Sequence, residues 1–281
     1  MAITVKTSKN VSHPSTRGWT LAFDETFSAA LSSTNWGSDP GNALPWGDRN
    51  NAGATNTLQL YSSDNVAIAD GLCTITIQDE SPALVWDSQN WDYSSAMMHT
   101  HQSGASGKSW RYGWFEIRCK LPSKVGCWPA FWLLQDDDAF PYNWELDVFE
   151  QFGSETSASS GVHNGDRVLM TTHYSTGGVL SDSTAFEPGS SGSAPENRVA
   201  QNYFTGGFHT FALNWQSDRL EWFIDGVSRK IETDSAKIPN VDMYLLLNCD
   251  VDGDAAGDIT VSDASLPVEF VIDYVKVWQD S

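Results

Sequence analysis

Seven consecutive residues, Trp144-Glu145-Leu146-Asp147-Val148-Phe149-Glu150, are apolar enough to form a strand yet carry three carboxylates. On a regular strand side chains alternate, so Glu145 and Asp147 share one face and Glu150 falls on the other. A β-bulge at Val148-Phe149 would bring Glu150 round to join them. Two carboxyl groups about 5–5.5 Å apart across a sugar linkage are what retaining glycoside hydrolysis needs: one attacks the anomeric carbon while the other protonates the leaving oxygen. A third acid between them would hold a proton or a hydrogen bond and help keep their pKa values apart, because like charges disfavour simultaneous ionisation. Read from residue types alone, the same acids also suit a metal site or a structural hydrogen-bond network.

The elements that must position this segment are legible around it. Period-two alternation recurs over Val66 to Ile68, Leu72 to Gln78, Trp114 to Leu121, Phe208 to Trp215, Leu220 to Asp225 and Phe270 to Trp278, while long stripes of helical period are missing. Turn signals bound them at Asp70-Gly71, Pro122-Ser123, Ser217-Asp218 and Asp225-Gly226, the last suited to a type I′ hairpin. Many short strands with polar turns predict an all-β sandwich of two antiparallel sheets, one domain over residues 1–281 with its core from about Trp19 to Gln279. The Gly-, Ser- and Thr-rich stretches Gly153 to Gly165 and Ser175 to Ala194 read as surface loops flanking a cleft. Asp136-Asp137-Asp138 reads as a solvated turn.

Charge and composition narrow the partners. Sixteen Lys and Arg against 36 Asp and Glu give a formal net charge of −20, which repels a phosphate backbone and makes nucleic acid a poor partner. No stretch approaches the ~18 apolar residues of a membrane span. The chain has 13 Trp, 13 Phe and 8 Tyr. Flat aromatics stack on the C–H faces of a pyranose while polar neighbours read its hydroxyls, so clusters of them suit a carbohydrate surface and the remainder belong to the core. Cys73, Cys119, Cys127 and Cys249 show no CxxC or zinc spacing and read as buried free thiols. His99 and His101 read as a surface pair, and Asp250 to Asp258 departs from the EF-hand pattern because its glycine stands fourth instead of sixth.

WELDVFEQFG resembles the catalytic strand of the laminarinase-type glycoside hydrolases of family 16, whose signature is Glu-x-Asp-x-x-Glu with a bulge. The rest of the chain agrees in order: LAFDETF, DNVAIADGLCTITI, YGWFEIRCKLP, GCWPAFWLL, TTHY, FHTFALNWQSDRLEWFIDG and IDYVKVW. The resemblance implies a β-jelly-roll with a concave substrate cleft and retaining endo-hydrolysis of a β-linked polysaccharide, foremost a β-1,3- or β-1,3-1,4-glucan. A bacterial exopolysaccharide depolymerase of the same family and a non-catalytic carbohydrate-binding protein are the alternatives. By the resemblance Glu145 is the nucleophile, Asp147 the assisting acid, and Glu150 the general acid and then base.

The same comparison implies substrate contacts at Trp128 and Trp132 of WPAFW, His173 of TTHY, Asn56 of NTLQLY, and Trp110. It implies no cofactor for catalysis, and a structural calcium with Asp273 as one ligand and Glu25, beside the position filled by Thr26, as the other. Trp144 before the nucleophile, Trp114 after Tyr112-Gly113, Thr57 after Asn56 and the segment NCDVDGD depart from the family pattern, which implies altered subsites. A polymer-cutting enzyme is expected to be a monomer working outside the cell. MAITVKTSKN carries no apolar leader segment, so a processed chain, a leaderless route or delivery by another particle such as a virion is expected.

Overall fold

Alternating residues resolve into strands along the whole computed structural model, which describes residues 12–38, 58–86, 88–101, 107–122, 126–136, 143–151, 168–175, 180–186, 203–204, 206–251 and 266–280. The chain enters through β1 (Thr20–Glu25) and the two-residue β2 (Gly37–Ser38). Then come β3 (Gln59–Tyr61), β4 (Val66–Ala69), β5 (Leu72–Trp86), β6 (Gln89–Ser95), β7 (Met97–His99) and β8 (Gly113–Lys120). The middle of the chain supplies β9 (Cys127–Gln135), β10 (Trp144–Glu150), β11 (Leu169–Ser175) and β12 (Leu180–Phe186). It closes with β13 (His209–Gln216), β14 (Arg219–Ile224), β15 (Val227–Glu232), β16 (Met243–Val251) and β17 (Val268–Gln279).

Two sheets result. A ten-stranded sheet runs β15-β14-β13-β8-β17-β5-β6-β3, with β1 beside β17 and β4 beside β5. A seven-stranded sheet runs β12-β11-β10-β9-β16-β7-β2. The pairing is antiparallel apart from β3 on β6, which is parallel. The fold is the all-β jelly-roll sandwich expected, and its core lies where the sheets face each other. Ile75, Phe115, Phe131, Leu146, Phe149, Phe211, Leu245 and Phe270 meet there with no exposed surface, each such side chain contributing about 1.5–3 kcal/mol by leaving water.

Period two does more than fill that core. In β16 the residues Leu245, Leu247, Cys249 and Val251 point inward, which leaves Tyr244, Leu246, Asn248 and Asp250 on the outer face of the seven-stranded sheet. With Trp132 and Leu134 of β9, Tyr61 and Met97, the tyrosine and leucine build a second cluster there.

Turn chemistry follows the sequence. Asp70 and Gly71 have φ of 53° and 75°, Asp225 and Gly226 49° and 72°, the two positive values that a type I′ hairpin requires. The Asp225 carboxylate is held in that turn by the Tyr203 hydroxyl at 2.6 Å, His209 Nδ1 at 2.8 Å and the Thr210 amide at 2.9 Å. All four cysteines are free and buried.

Three expectations need correction. Residues 180–186, inside the stretch read as loop, form β12 against β11: a polar strand at the end of a sheet lacks the apolar alternation that announces one. The other loop, Gly153 to Gly165, lies outside the described residues. His99 and His101 are 4% and 7% exposed, not a surface pair. His99 Nδ1 binds the His101 carbonyl at 2.7 Å, and His101 Nδ1 reaches Asp136 Oδ1 at 3.1 Å. Trp114 packs with Ala212, Phe223 and Trp278 on the ten-stranded sheet, away from the acids. Its indole donates to Glu116 at 3.0 Å and the His13 ring lies on it at 5.6 Å, so this departure leaves the subsites alone.

Candidate active site

The bulge is where the alternation predicts it. Across β11, Asp147 pairs with Thr171 and Glu150 with Leu169, so Val148 and Phe149 together face the single residue Met170. Across β9 the register slips between Asp147, opposite Trp132, and Phe149, opposite Phe131. Leu146, Val148 and Phe149 all enter the core with no exposed surface. Two consecutive inward residues are what the apolar pair Val148-Phe149 supplies, and the added residue returns Glu150 to the face of Glu145 and Asp147.

Neighbouring strands set a row beside each acid. Glu145 is flanked by His173 on β11 and Leu134 on β9, Asp147 by Thr171 and Trp132, and Glu150 by Leu169 and Ala130. Alanine leaves room beside Glu150, and the Trp128 indole uses it, donating Nε1–H to Glu150 Oε1 at 3.1 Å. His173 Nε2 lies 3.1 Å from Asp147 Oδ2 and 3.9 Å from Glu145 Oε1. One basic ring therefore sits on two of the three acids.

Electrostatics separate the acids by role. Burial, then the charges of Asp147 and Glu145, push the Glu150 carboxyl well above the usual carboxylate value of 4.5, against the pull of His173 and the Trp128 indole. A carboxyl in that condition keeps its proton and can donate it. Burial works against the charged imidazole of His173, but its bond to Asp147 and the charges of Asp147, Glu145 and Glu150 outweigh it and raise the ring to about 9. The ring is therefore a cation at neutral pH, and its charge favours an ionised Glu145 beside it.

Glu145, Asp147 and His173 bring ligand atoms within 4.8 Å of one another, the spacing of a metal site. A metal would have to displace the proton of the raised His173 ring, and without one the cluster is two acids held by an imidazolium. The two residues expected to hold calcium already have protein partners. Asp273 is taken by the Arg118 guanidinium. Glu25 accepts the Phe27 amide at 2.9 Å and the Trp36 indole at 3.0 Å. A carboxylate already bonded to a guanidinium is a poor calcium ligand, so these residues do not fit the ion.

The expected substrate contacts divide. Trp128 and His173 bond to the acids, and Trp132, though only 4% exposed, stands beside Asp147. Trp110 does not: it is 7% exposed, packed edge-on against Phe23 and Phe115 between the sheets, because its backbone is paired with Met243 at the inner side of β16. Asn56 lies outside the described residues. Absent from the sequence reading was a buried chain of polar groups beyond Trp132. The Trp132 indole donates to Asn248 Oδ1 at 2.8 Å, Asn248 Nδ2 donates to Asp250 Oδ1 at 2.8 Å, and the Tyr61 hydroxyl donates to the same carboxylate. The signal was available: polar residues at 248 and 250 alternate with Leu247, Cys249 and Val251 in an otherwise apolar strand.

Comparison with known proteins agrees with this geometry. The model of "Glycosyl hydrolases family 16" matches residues 54–274. "Endo-1,3-1,4-beta-glycanase EglC" of Rhizobium meliloti is 31% identical over 246 residues, covering 86% of this chain and 46% of the relative. "Beta-glucanase" of Rhodothermus marinus is 27% identical over 279 residues, covering 93% of this chain and 84% of the relative. Among solved structures, the laminarinase from Flavobacterium sp. UMI-01 superimposes with a TM-score of 0.69 at 26% identity, covering 92% of this chain and 100% of that one. The chain thus spans under half the length of the first of these curated relatives.

Proposed function

The chain belongs to family 16 of the glycosyl hydrolases, and from that membership we propose that it is a retaining endo-glycosidase of a β-linked polysaccharide, a β-1,3- or β-1,3-1,4-glucan. The observation that carries the reading is the bulged strand that sets Glu145 and Glu150 on one face, with burial and the neighbouring acids raising the Glu150 carboxyl. Glu145, ionised beside the His173 imidazolium, attacks the anomeric carbon as Glu150 gives its proton to the departing glycosidic oxygen. The shortened polymer leaves and a glycosyl ester on Glu145 remains. Glu150, now ionised, takes a proton from water, the water oxygen attacks the same carbon, and Glu145 is released.

Asp147 and His173 serve this cycle without touching the bond that breaks. Their ion pair holds positive charge against Glu145 and negative charge near Glu150, so the two working carboxyls stay apart in pKa through both steps. Trp128, half-buried beside Glu150, offers its ring to the sugar, and Trp132 lies buried next to Asp147. A pure binding module has no use for two carboxyls brought to one face of a strand by a bulge, which supports the enzyme reading over the lectin-like one. A monomer acting outside the cell fits a polymeric substrate, and among the described residues no helix is long and apolar enough to cross a membrane.

The test is reducing-end release from laminarin, mixed-linked glucan, xyloglucan, agarose, carrageenan and bacterial exopolysaccharides, with Glu145→Gln alongside. Products from a glucan that vanish in the variant are expected. Products from another polymer would overturn the substrate, and binding without products in the wild type would overturn the enzyme.

A further inference from the structure

A bulge interrupts the ladder of hydrogen bonds, and a backbone carbonyl left inside an apolar core needs a donor from elsewhere. In this protein two side chains of the opposite sheet cross the core to supply them. Trp222, on β14 and without exposed surface, donates its indole Nε1–H to the carbonyl of Asp147 at 2.8 Å. Lys230, on β15 and 8% exposed, donates Nζ to the carbonyl of Met170 at 2.8 Å. Asp147 is the last residue before the bulge and Met170 is the residue opposite it. The donors are themselves register partners on neighbouring strands, and the Lys230 ammonium lies 4.3 Å from the centroid of the Trp222 ring.

An ammonium in an apolar core is costly unless its bonds are made. Burial lowers the Lys230 amine to about 8 even though Asp147 and Glu232 favour its charge. An apolar side chain would fill the same space at less cost, so its presence calls for a reason, and the Met170 carbonyl is one.

We propose that Trp222 and Lys230 are positioning residues for the acids: a clamp that fixes the bulged strand against β11, so that Glu150 and Glu145 share a face and Asp147 stays on His173. Neither residue touches the sugar. Each acts through the backbone of the strand that carries a working group, and the proposal rests on the retaining-glycosidase reading only for its kinetic consequence.

Trp222→Phe removes the N–H and keeps most of the ring; Lys230→Met removes the ammonium and keeps the chain length. Each is assayed per folded molecule, well below its melting temperature, for kcat and KM on the glucan that the wild type cleaves. The His173 titration is followed in parallel by NMR. A lost clamp lets Asp147 drift from His173, so the titration midpoint falls from about 9 toward the ordinary 6.5. Misplacement of reacting groups by about an ångström costs on the order of 100-fold. The expected result is therefore a kcat lowered about 10- to 100-fold, KM within about twofold, and a His173 midpoint at least about one pH unit lower in either variant. A merely structural role would lower the melting temperature and leave both kcat and the midpoint unchanged, and that result overturns the clamp. If the wild type cleaves no glycan but the midpoint still falls, the clamp stands and the glycosidase reading fails.

Discussion

Replacing Trp128 by Phe should move the alkaline limb of the pH–rate profile upward. The indole gives Glu150 Oε1 a hydrogen bond of 3.1 Å, and a donor on a carboxylate favours the ionised form. Losing it leaves burial and the two neighbouring acids with less opposition, so the Glu150 pKa, already raised, rises further. A hydrogen bond to a charged group contributes about 1.5–3 kcal/mol, and a pKa unit corresponds to about 1.36 kcal/mol. The full effect is then about 1–2 units, and a water taking the indole's place brings it to the lower end. The profile of kcat/KM reports the ionisations of the free enzyme, so the alkaline limb should shift up by about one unit. Phenylalanine retains an aromatic face for the sugar, so KM should change less than the pH dependence. An alkaline limb that stays in place, or moves to lower pH, would refute the assignment of Glu150 as the group protonated for catalysis.

Glu150→Gln should abolish hydrolysis and raise the melting temperature at pH 7. The folded state holds the Glu150 proton more tightly than the unfolded chain does, so the stability this confers is complete below about 4.5 and lost as pH rises through the folded value. The amide never suffers that loss; calorimetry should find the variant more stable at pH 7 and equal to the wild type near pH 4, and equal stability at both would contradict the burial of this acid. The thiols should be inert: burial, with Glu25 nearby, pushes Cys73 up to about 12, and Cys119 and Cys249 also lie well above the ordinary thiol range. A thiol reagent should modify none of the four until denaturant is added, and a melting temperature that dropped on reduction would reveal a disulfide instead.

The sequence was most informative where alternation and chemistry coincide. Glu145, Asp147 and Glu150 could be put on one face because Val148-Phe149 is an apolar pair that breaks a period of two, and a bulge is the local event that accommodates it. Asp225-Gly226 announced its turn through residues that tolerate positive φ. Failures came where a residue's surroundings are set by distant strands. Trp110 looks like any cleft tryptophan until Phe23 and Phe115 close over it, and Asp273 looks like a calcium ligand until Arg118, 155 positions away, arrives on the next strand. Trp222 and Lys230 were invisible for the same reason, since a donor to a backbone carbonyl across the core leaves no pattern in either segment.

Lys230 has one more consequence, set by its position in the sheet. Among the described residues β15 is the outermost strand of its sheet, and an outermost strand offers backbone groups onto which another chain could add a strand of its own. A charge pointing inward from such a strand is one of the features by which sheet edges discourage that addition. Lys230, 8% exposed on that strand, is a charge of this kind, and it would guard the edge whether or not the acids were working.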